Sequence, residues 1–471
     1  MKTQHLQRML IGLGLIMALA TPRAFATDWY VTTNGTGDGS ASWANATTNL
    51  QGAINSATDS ETVYVTNNAT YYLTNQITVS YAITVRSWGP GGILDPTNTI
   101  LDGNYPTTTN RHFTLNKYGA TLAGFTLTNG WGESDGNSNT ASGGSIYLSR
   151  GIVTNCIVMY NYALGTNNGG WGGGGILLIT GSGGVWNCTI SANSSRQLGG
   201  GIYAKNGGPW KIANCMVANN DSRSEGAGIN MGASGTIISN CWIVSNSTFG
   251  SAGGVRMSAG IAGQCVNSFI IGNTARGSWS PGGGIRPNSG LIRNCLIASN
   301  VSQYGAGLAI GNAPTESSSI QNCTIVGNIA TNGEGGGFDL ADYNGFAKLE
   351  NTIIWDNSTL KAGTISSNYY INRSDPALAF ATFTNCCTSP LIVSTYASEV
   401  NTITNDPRFV KTATDNYQLQ PDSPCINAGV NRAWMEGALD VYGHRRIDNF
   451  RRTVDIGAHE YLGKGTVFRF Q

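Results

Sequence analysis

The chain is 471 residues long, carries a formal net charge of +1 and is only 11% charged, a balance that gives no reason to expect a nucleic-acid partner. Its 64 glycines far exceed ordinary usage and would fit a disordered chain, were they not placed at regular intervals. Length alone allows two or three domains, but the repetition described below merges most of the chain into one elongated body.

Residues 1–26 read as a secretory signal. Lys2 and Arg8 supply a basic start, Met9 to Ala20 an apolar run of 12 residues, and Ala24-Phe25-Ala26 a small-x-small cleavage site, so the mature chain is expected to begin at Thr27. The apolar run is shorter than the roughly 20 residues a membrane span needs, and no transmembrane span is expected in the mature chain. The expected location is secreted or cell-surface.

Residues 27–60 form an expected N-terminal cap. A helix is predicted from Asn49 to Ala57, with Leu50, Ala53, Ile54 and Ala57 on one face. Such a face covers strand edges that would otherwise stay unpaired. Strand-like runs follow at Thr62 to Val65, Ile77 to Val79, Ala82 to Val85 and Phe125 to Asn129.

Between 143 and 356 one short phrase recurs eight times. Taking Cys156 as marker, Cys188, Cys215, Cys241, Ser268, Cys295, Cys323 and Asn351 follow at intervals of 32, 27, 26, 27, 27, 28 and 28 residues. Two places after each marker stands a β-branched residue: Val158, Ile190, Val217, Ile243, Ile270, Ile297, Ile325 and Ile353. Five places after it stands Asn161, Asn193, Asn220, Asn246, Asn273, Asn300, Asn328 or Asp356. Upstream, a glycine-rich run ends in one apolar residue: Ile146, Ile176, Ile202, Ile229, Val255, Ile285, Leu308 or Phe338.

A period in this range marks a solenoid, propeller or array. Repeated glycines and short β-branched runs exclude helical repeats, and a propeller blade needs about 40 residues. The predicted fold is all-β: a single-stranded, right-handed parallel β-helix of about 27 residues per coil, over 61–405, each coil stacked about 4.8 Å above the last. One sequence position then becomes one column. The markers and the isoleucines two places later are expected to point inward, the fifth-place asparagines to sit at a bend in left-handed backbone, with amides bonded along the column. Burying one Ile gains roughly 1.5–3 kcal/mol, whereas fixing each residue's backbone costs about 1–2 kcal/mol. A single coil therefore cannot stand alone, and both ends need capping.

Ten cysteines in an exported chain would ordinarily read as a disulfide framework. Six of them share the marker column, and Cys265 stands where other units carry Val185, Ile212, Ile238, Ile292 and Ile320, so small buried thiols are the expected reading. Cys386, Cys387 and Cys425 lie outside the column, and there disulfides stay open. The tail, 406–471, with Pro407, Pro421, Pro424 and many charges, reads as a compact end cap.

No catalytic residue is assigned from sequence, and no cofactor or metal is expected. A calcium-dependent lyase site needs clustered carboxylates, yet between Gly136 and Thr315 the only acids are Asp221 and Glu225. The same stretch has nine basic residues, a balance of +7 that would gather anionic glycans, so acidic polysaccharide or a cell-surface glycan is the expected partner. Tyr203, Asn230, Arg256 and Arg286 each follow the inward apolar residue and are predicted to form an outward ligand-binding column, with Trp171 and Trp279, beside Phe249 and Tyr304, as a stacking rim. The competing reading makes these arginines solvated surface and the aromatics corner cover. His444 and His459, beside Asp440, Asp455 and Glu460, read as a structural clasp in preference to a metal site.

Residues 27–471 resemble the right-handed parallel β-helix proteins of the pectate-lyase-like superfamily, and the repeated Gly-Gly-Gly-Ile with later Asn resembles polymorphic outer-membrane proteins. Tyr417-Gln418-Leu419, Ser423 to Gly429, Asp440 to Arg446 and Asp455 to Glu460 resemble the choice-of-anchor Q module of bacterial surface proteins, although Cys425, Asn427 and His459 stand where that family usually has Ala, Asp and Tyr. The resemblance implies an exported bacterial β-helix and, in itself, no reaction.

Overall fold

The computed structural model describes residues 28–132, 142–165, 172–258, 263–311, 317–340, 345–363, 366–371, 379–411, 416–447 and 453–463. Over this length the chain winds as a parallel β-solenoid. One coil shows the plan: Ile229–Met231 and Ile237–Ser239 lie in a broad sheet, Trp242–Val244 in a middle sheet and Ser247–Thr248 in a narrow one. Among the described residues these sheets hold 23, 12 and 9 strands. No described helix is long and apolar enough to cross a membrane.

Equivalent letters do stack. Val158, Ile190, Val217, Ile243, Ile270, Ile297 and Ile325 pair in register down the middle sheet, all fully buried. Ile146, Ile176, Ile202, Ile229, Val255, Ile285, Leu308 and Phe338 do the same on the broad sheet. Cys265 pairs with Ile238 and Ile292, as an aliphatic stand-in should. All ten cysteines, Cys386, Cys387 and Cys425 included, are buried free thiols.

The last unit is displaced by one residue from the sequence reading. Ile325 pairs with Ile354, so Ile354 enters the core while Ile353 faces outward. The marker there is Thr352, whose Oγ1 accepts the Cys323 N–H at 3.4 Å, and the bend amide is Asn357, not Asp356. Two adjacent isoleucines made either register fit the pattern; the amide column decides between them.

That column also corrects the assignment of left-handed backbone. Positive φ belongs to the residue before each ladder asparagine (Tyr160, Ala192, Asn219, Ser245, Gly272, Ser299, Gly327, Asp356) and to the asparagine before each marker, from Asn155 to Asn351. The fifth-place asparagines instead turn inward. Asn246 Nδ2 donates to Asn273 Oδ1 and to the Val217 carbonyl, both at 2.9 Å, while its Oδ1 accepts from Asn220 N at 3.0 Å and Asn220 Nδ2 at 2.9 Å. The pattern runs from Asn193 to Asn357, each buried amide using both donors and accepting two bonds, while the first, Asn161, accepts only the Gly130 N–H. This ladder accounts for the glycine before the inward apolar residue of every unit but the first, where Ser145 precedes Ile146. A Cβ on Gly254 would lie 2.5 Å from the Gly284 carbonyl oxygen and 3.1 Å from Asn273 Nδ2.

At the N-terminal end the helix Leu50–Ser56 is capped by Asn49, whose side chain accepts the Gly52 N–H at 2.8 Å. Leu50, Ala53, Ile54 and Ala57 are buried on the core, as their spacing required. The C-terminal segment departs from the expected end plug. It turns back and lies along the outside of the middle sheet: the Ala428 carbonyl meets Asn385 Nδ2, the Val430 carbonyl meets Asn351, and the Leu439 carbonyl meets Asn294, at 3.1, 2.9 and 2.9 Å. Phe269, Leu296, Val326 and Ile353 form a second apolar cluster with Phe409, Tyr417, Leu419, Cys425 and Ile456 of the segment. Arg446, fully buried, donates to Glu460 Oε1 at 2.7 Å and to the Gly457 carbonyl, and its Nη2 reaches the Asn322 carbonyl at 3.4 Å.

Candidate functional site

The predicted column exists in register: Leu177, Tyr203, Asn230, Arg256 and Arg286 pair across successive coils of the broad sheet. It faces away from the core, yet it is not solvated. Arg256 and Arg286 are 7% and 8% exposed, and Tyr203 and Asn230 are buried as well. Glu225 bridges the two guanidinium groups, with its Oε2 3.0 Å from Arg256 Nε and its Oε1 3.4 Å from Arg286 Nη1. Arg256 also donates to the Met257 and Arg286 carbonyls and to Asn288 Oδ1, and Arg286 to Ser251 Oγ at 2.8 Å. Both readings of these arginines as solvent-facing are therefore corrected. The cause is local: left-handed Gly199, Gly226 and Gly282 fold their corners over the column, so closely that a Cβ on Gly226 would meet the Cβ atoms of Asn230 and Arg256 at 2.9 and 3.0 Å. Burial, helped by the Glu225 charge, pushes the Tyr203 phenol up to about 12. Of the predicted rim, Trp171 lies outside the described residues, while Trp279 is 72% exposed and stacks on Tyr304 at 5.7 Å.

The positive charge that reaches water stands elsewhere. Just after successive narrow-sheet strands come Arg196, Arg223, Phe249 and Arg276, whose backbone N–H groups bond to Ala163, Ser195, Ser222 and Thr248 of the preceding coils at 2.9 to 3.1 Å. They form one column, and all four side chains are exposed. Alternate residues of a strand share a face, so Tyr162, Ser194 and Asp221 stand beside them and line the same shallow recess of about 430 Å³. Asp221 is its single acid, bonded to Arg276 Nη2 at 2.6 Å with both groups nearly half exposed. Toward the N-terminus the strip continues as stacked rings, Tyr162 on Trp131 at 4.3 Å and Trp131 on Tyr105 at 4.1 Å. A flat, basic and aromatic strip along the solenoid axis suits an extended anionic polymer better than a compact metabolite.

Ligand atoms of Asp440, His444 and His459 lie within 4.8 Å of one another, the spacing of a metal site. Asp440 and His459 are already engaged, whereas His444 Nδ1, 3.4 Å from Asp440 Oδ2, has no hydrogen-bond partner. Asp440 Oδ1 accepts the Tyr442 and His444 N–H groups at 2.9 and 2.7 Å, and Oδ2 accepts the Glu460 N–H at 2.7 Å. His459 Nδ1 accepts the Leu419 N–H at 3.0 Å, which leaves the proton of the neutral ring on Nε2. Burial, the largest influence, lowers this histidine to about 4 and keeps it neutral. Through these bonds Asp440 and His459 tie Leu419, Tyr442, His444 and Glu460 of the C-terminal segment together.

The chain is thus a parallel β-helix protein with its own C-terminal segment bound along one flank. No family model matches it, and no curated protein is similar in sequence. Among solved structures it is similar to the pectate lyase Pel9A, with 16% identity, a TM-score of 0.46 and coverage of 92% of this chain and 96% of that one. It is also similar to XylC in complex with xylose, at 8% identity, a TM-score of 0.33 and coverage of 81% and 87%. A third likeness is to the pectin methylesterase of Aspergillus niger, at 15% identity, a TM-score of 0.27 and coverage of 72% and 91%. Likeness at this level concerns the course of the chain and carries no argument about activity.

Proposed function

We propose that the protein is exported, held at the cell surface, and binds acidic polysaccharide along the narrow-sheet strip. The observation that carries this reading is the exposed column of Arg196, Arg223 and Arg276 with one acid beside it, continued by the Tyr105–Trp131–Tyr162 stack. Export rests on residues 1–26, and attachment on the resemblance of the tail to choice-of-anchor Q modules and of the repeats to polymorphic outer-membrane proteins. The test is retention on immobilised polygalacturonate or alginate. Exposed ion pairs contribute about 0.2–1 kcal/mol each, so the triple variant R196A/R223A/R276A should lose roughly three- to a hundredfold in affinity. Wild-type binding should fall as salt rises. Absence of binding at every salt concentration would leave a purely structural surface protein.

A metal-independent lyase acting on acidic glycans is the second reading, favoured by one observation. Desolvation lowers the Lys205 ammonium to about 8, toward the range of a general base. Unsaturated uronate products, seen by their ultraviolet absorbance and lost in Lys205→Met, would establish it in place of simple binding.

A further inference from the structure

A separate cleft of about 650 Å³ opens where the C-terminal segment crosses the coils, a volume within the roughly 300–1,000 Å³ of small-molecule sites. It is lined by Asn240, Asn267 and Asn294, three of the asparagines that precede the markers. One wall is Trp242, 45% exposed and stacked on Phe269 at 4.1 Å. Trp434, held by the Arg293 guanidinium 4.1 Å from its ring centre, also lines the cleft, with Ala438, Leu439, Asp440, Val441 and Gly443. Two polar atoms in this lining are buried without a hydrogen-bond partner: Asn294 Oδ1, on a side chain only 2% exposed, and Trp434 Nε1. Leaving one such atom unbonded costs about 1–3 kcal/mol, so an unpaired acceptor and an unpaired donor on residues that line one cleft describe a ligand that supplies both. A hydroxyl does. The charges in the lining are committed: Arg293 Nε donates to Gln321 Oε1 at 3.0 Å while its ring-facing side lies on Trp434, and Asp440 accepts three backbone N–H groups. An uncharged ligand follows.

We propose that this cleft binds a neutral hexopyranose, with its C–H face on Trp242, one hydroxyl donating to Asn294 Oδ1 and one hydroxyl oxygen accepting from Trp434 Nε1. It is independent of the narrow-sheet strip: its ligand carries no charge and its contacts involve no exposed arginine. It is not legible in the sequence, where Trp242 and Trp434 stand 192 residues apart.

The full-length mature protein should be titrated by calorimetry and tryptophan fluorescence with cellobiose, maltose, lactose and methyl mannoside up to tens of millimolar. At least one should saturate, with affinity unchanged between low and high salt and unchanged in R196A/R223A/R276A, which separates this site from the strip. Trp242→Ala should weaken binding by roughly tenfold or more. Trp434→Phe, which keeps the ring over Arg293 and removes only the N–H, should weaken it by roughly three- to tenfold. Both substitutions should leave the urea midpoint near that of the wild type; if Trp242→Ala unfolds the chain, Trp434→Phe alone decides. The proposal is overturned if none of the four sugars saturates, if binding is indifferent to both substitutions, or if ordered water alone satisfies the two atoms in crystals soaked with sugar.

Discussion

Asn246→Ala tests the amide ladder at its centre. The substitution removes four hydrogen bonds: two donated by Nδ2, to the Val217 carbonyl and Asn273 Oδ1, and two accepted by Oδ1, from the backbone and side chain of Asn220. At about 0.5–1.5 kcal/mol each the four bonds come to roughly 2–6 kcal/mol, and the two N–H groups of Asn220 left without that acceptor put the loss in the upper part of this range. Asn240→Ala is the internal control. It is the same change in the same coil, but Asn240 sits in left-handed backbone (φ 52°) and its Nδ2 makes one long bond, 3.3 Å, to Asn214, so only about 1–2 kcal/mol is expected. Stability in a stacked repeat is local to neighbouring coils. The assay is therefore urea unfolding by circular dichroism together with hydrogen exchange, in which amides of the coils around Val217 and Ile270 should lose protection first. If Asn246→Ala costs less than about 1 kcal/mol, or no more than Asn240→Ala, the ladder is not what holds the corners.

Acidification should destabilise the chain through two buried histidines. His112, whose ring lies between the Thr128 carbonyl at 2.9 Å and Ser145 Oγ at 3.1 Å, is lowered by burial to about 4, as is His459. The folded state therefore binds fewer protons than the unfolded one. Their contribution is complete above the ordinary histidine value of 6.5 and is lost as the pH falls toward 4, by up to about 3 kcal/mol each; a urea midpoint flat over that window, or an unchanged slope in His112→Gln, would contradict it. Arg446→Ala leaves Glu460 buried without its cation 2.7 Å away and should weaken docking of the C-terminal segment by roughly 3–5 kcal/mol. Limited proteolysis should then cut the segment between residues 428 and 447 while the coils persist, and unaltered resistance would argue against flank docking.

The solenoid was legible because one position in each unit becomes one column, and burial of one residue type per column leaves a period that composition cannot hide. Legibility failed where two residues satisfied the same column, as with Ile353 and Ile354, and the cost was a one-residue slip that the Ile325–Ile354 pairing and the Asn328–Asn357 bond resolve. Arg256 and Arg286 were placed in the right column, but their burial depends on corners folded over by Gly226 and Gly282 and on Glu225, 61 residues from Arg286. Docking of the tail was not legible from the tail itself. A trace of it lies in the coils: the outward positions of the middle sheet read Met216, Trp242, Phe269, Leu296, Thr324 and Ile353, all but one apolar on a face that strand alternation leaves to water.

Removing one whole coil tests most directly whether the repeat of the sequence is the repeat of the structure. Deletion of residues 188–214, 27 in all, joins Asn187 to Cys215 and brings Val158 onto Val217 and Asn161 onto Asn220 with every column intact. The shortened chain should keep the wild-type circular dichroism per residue and unfold cooperatively, whereas deletion of residues 201–213, 13 in all, breaks the columns and should leave the adjoining coils unfolded. Equal damage from both deletions would contradict the account.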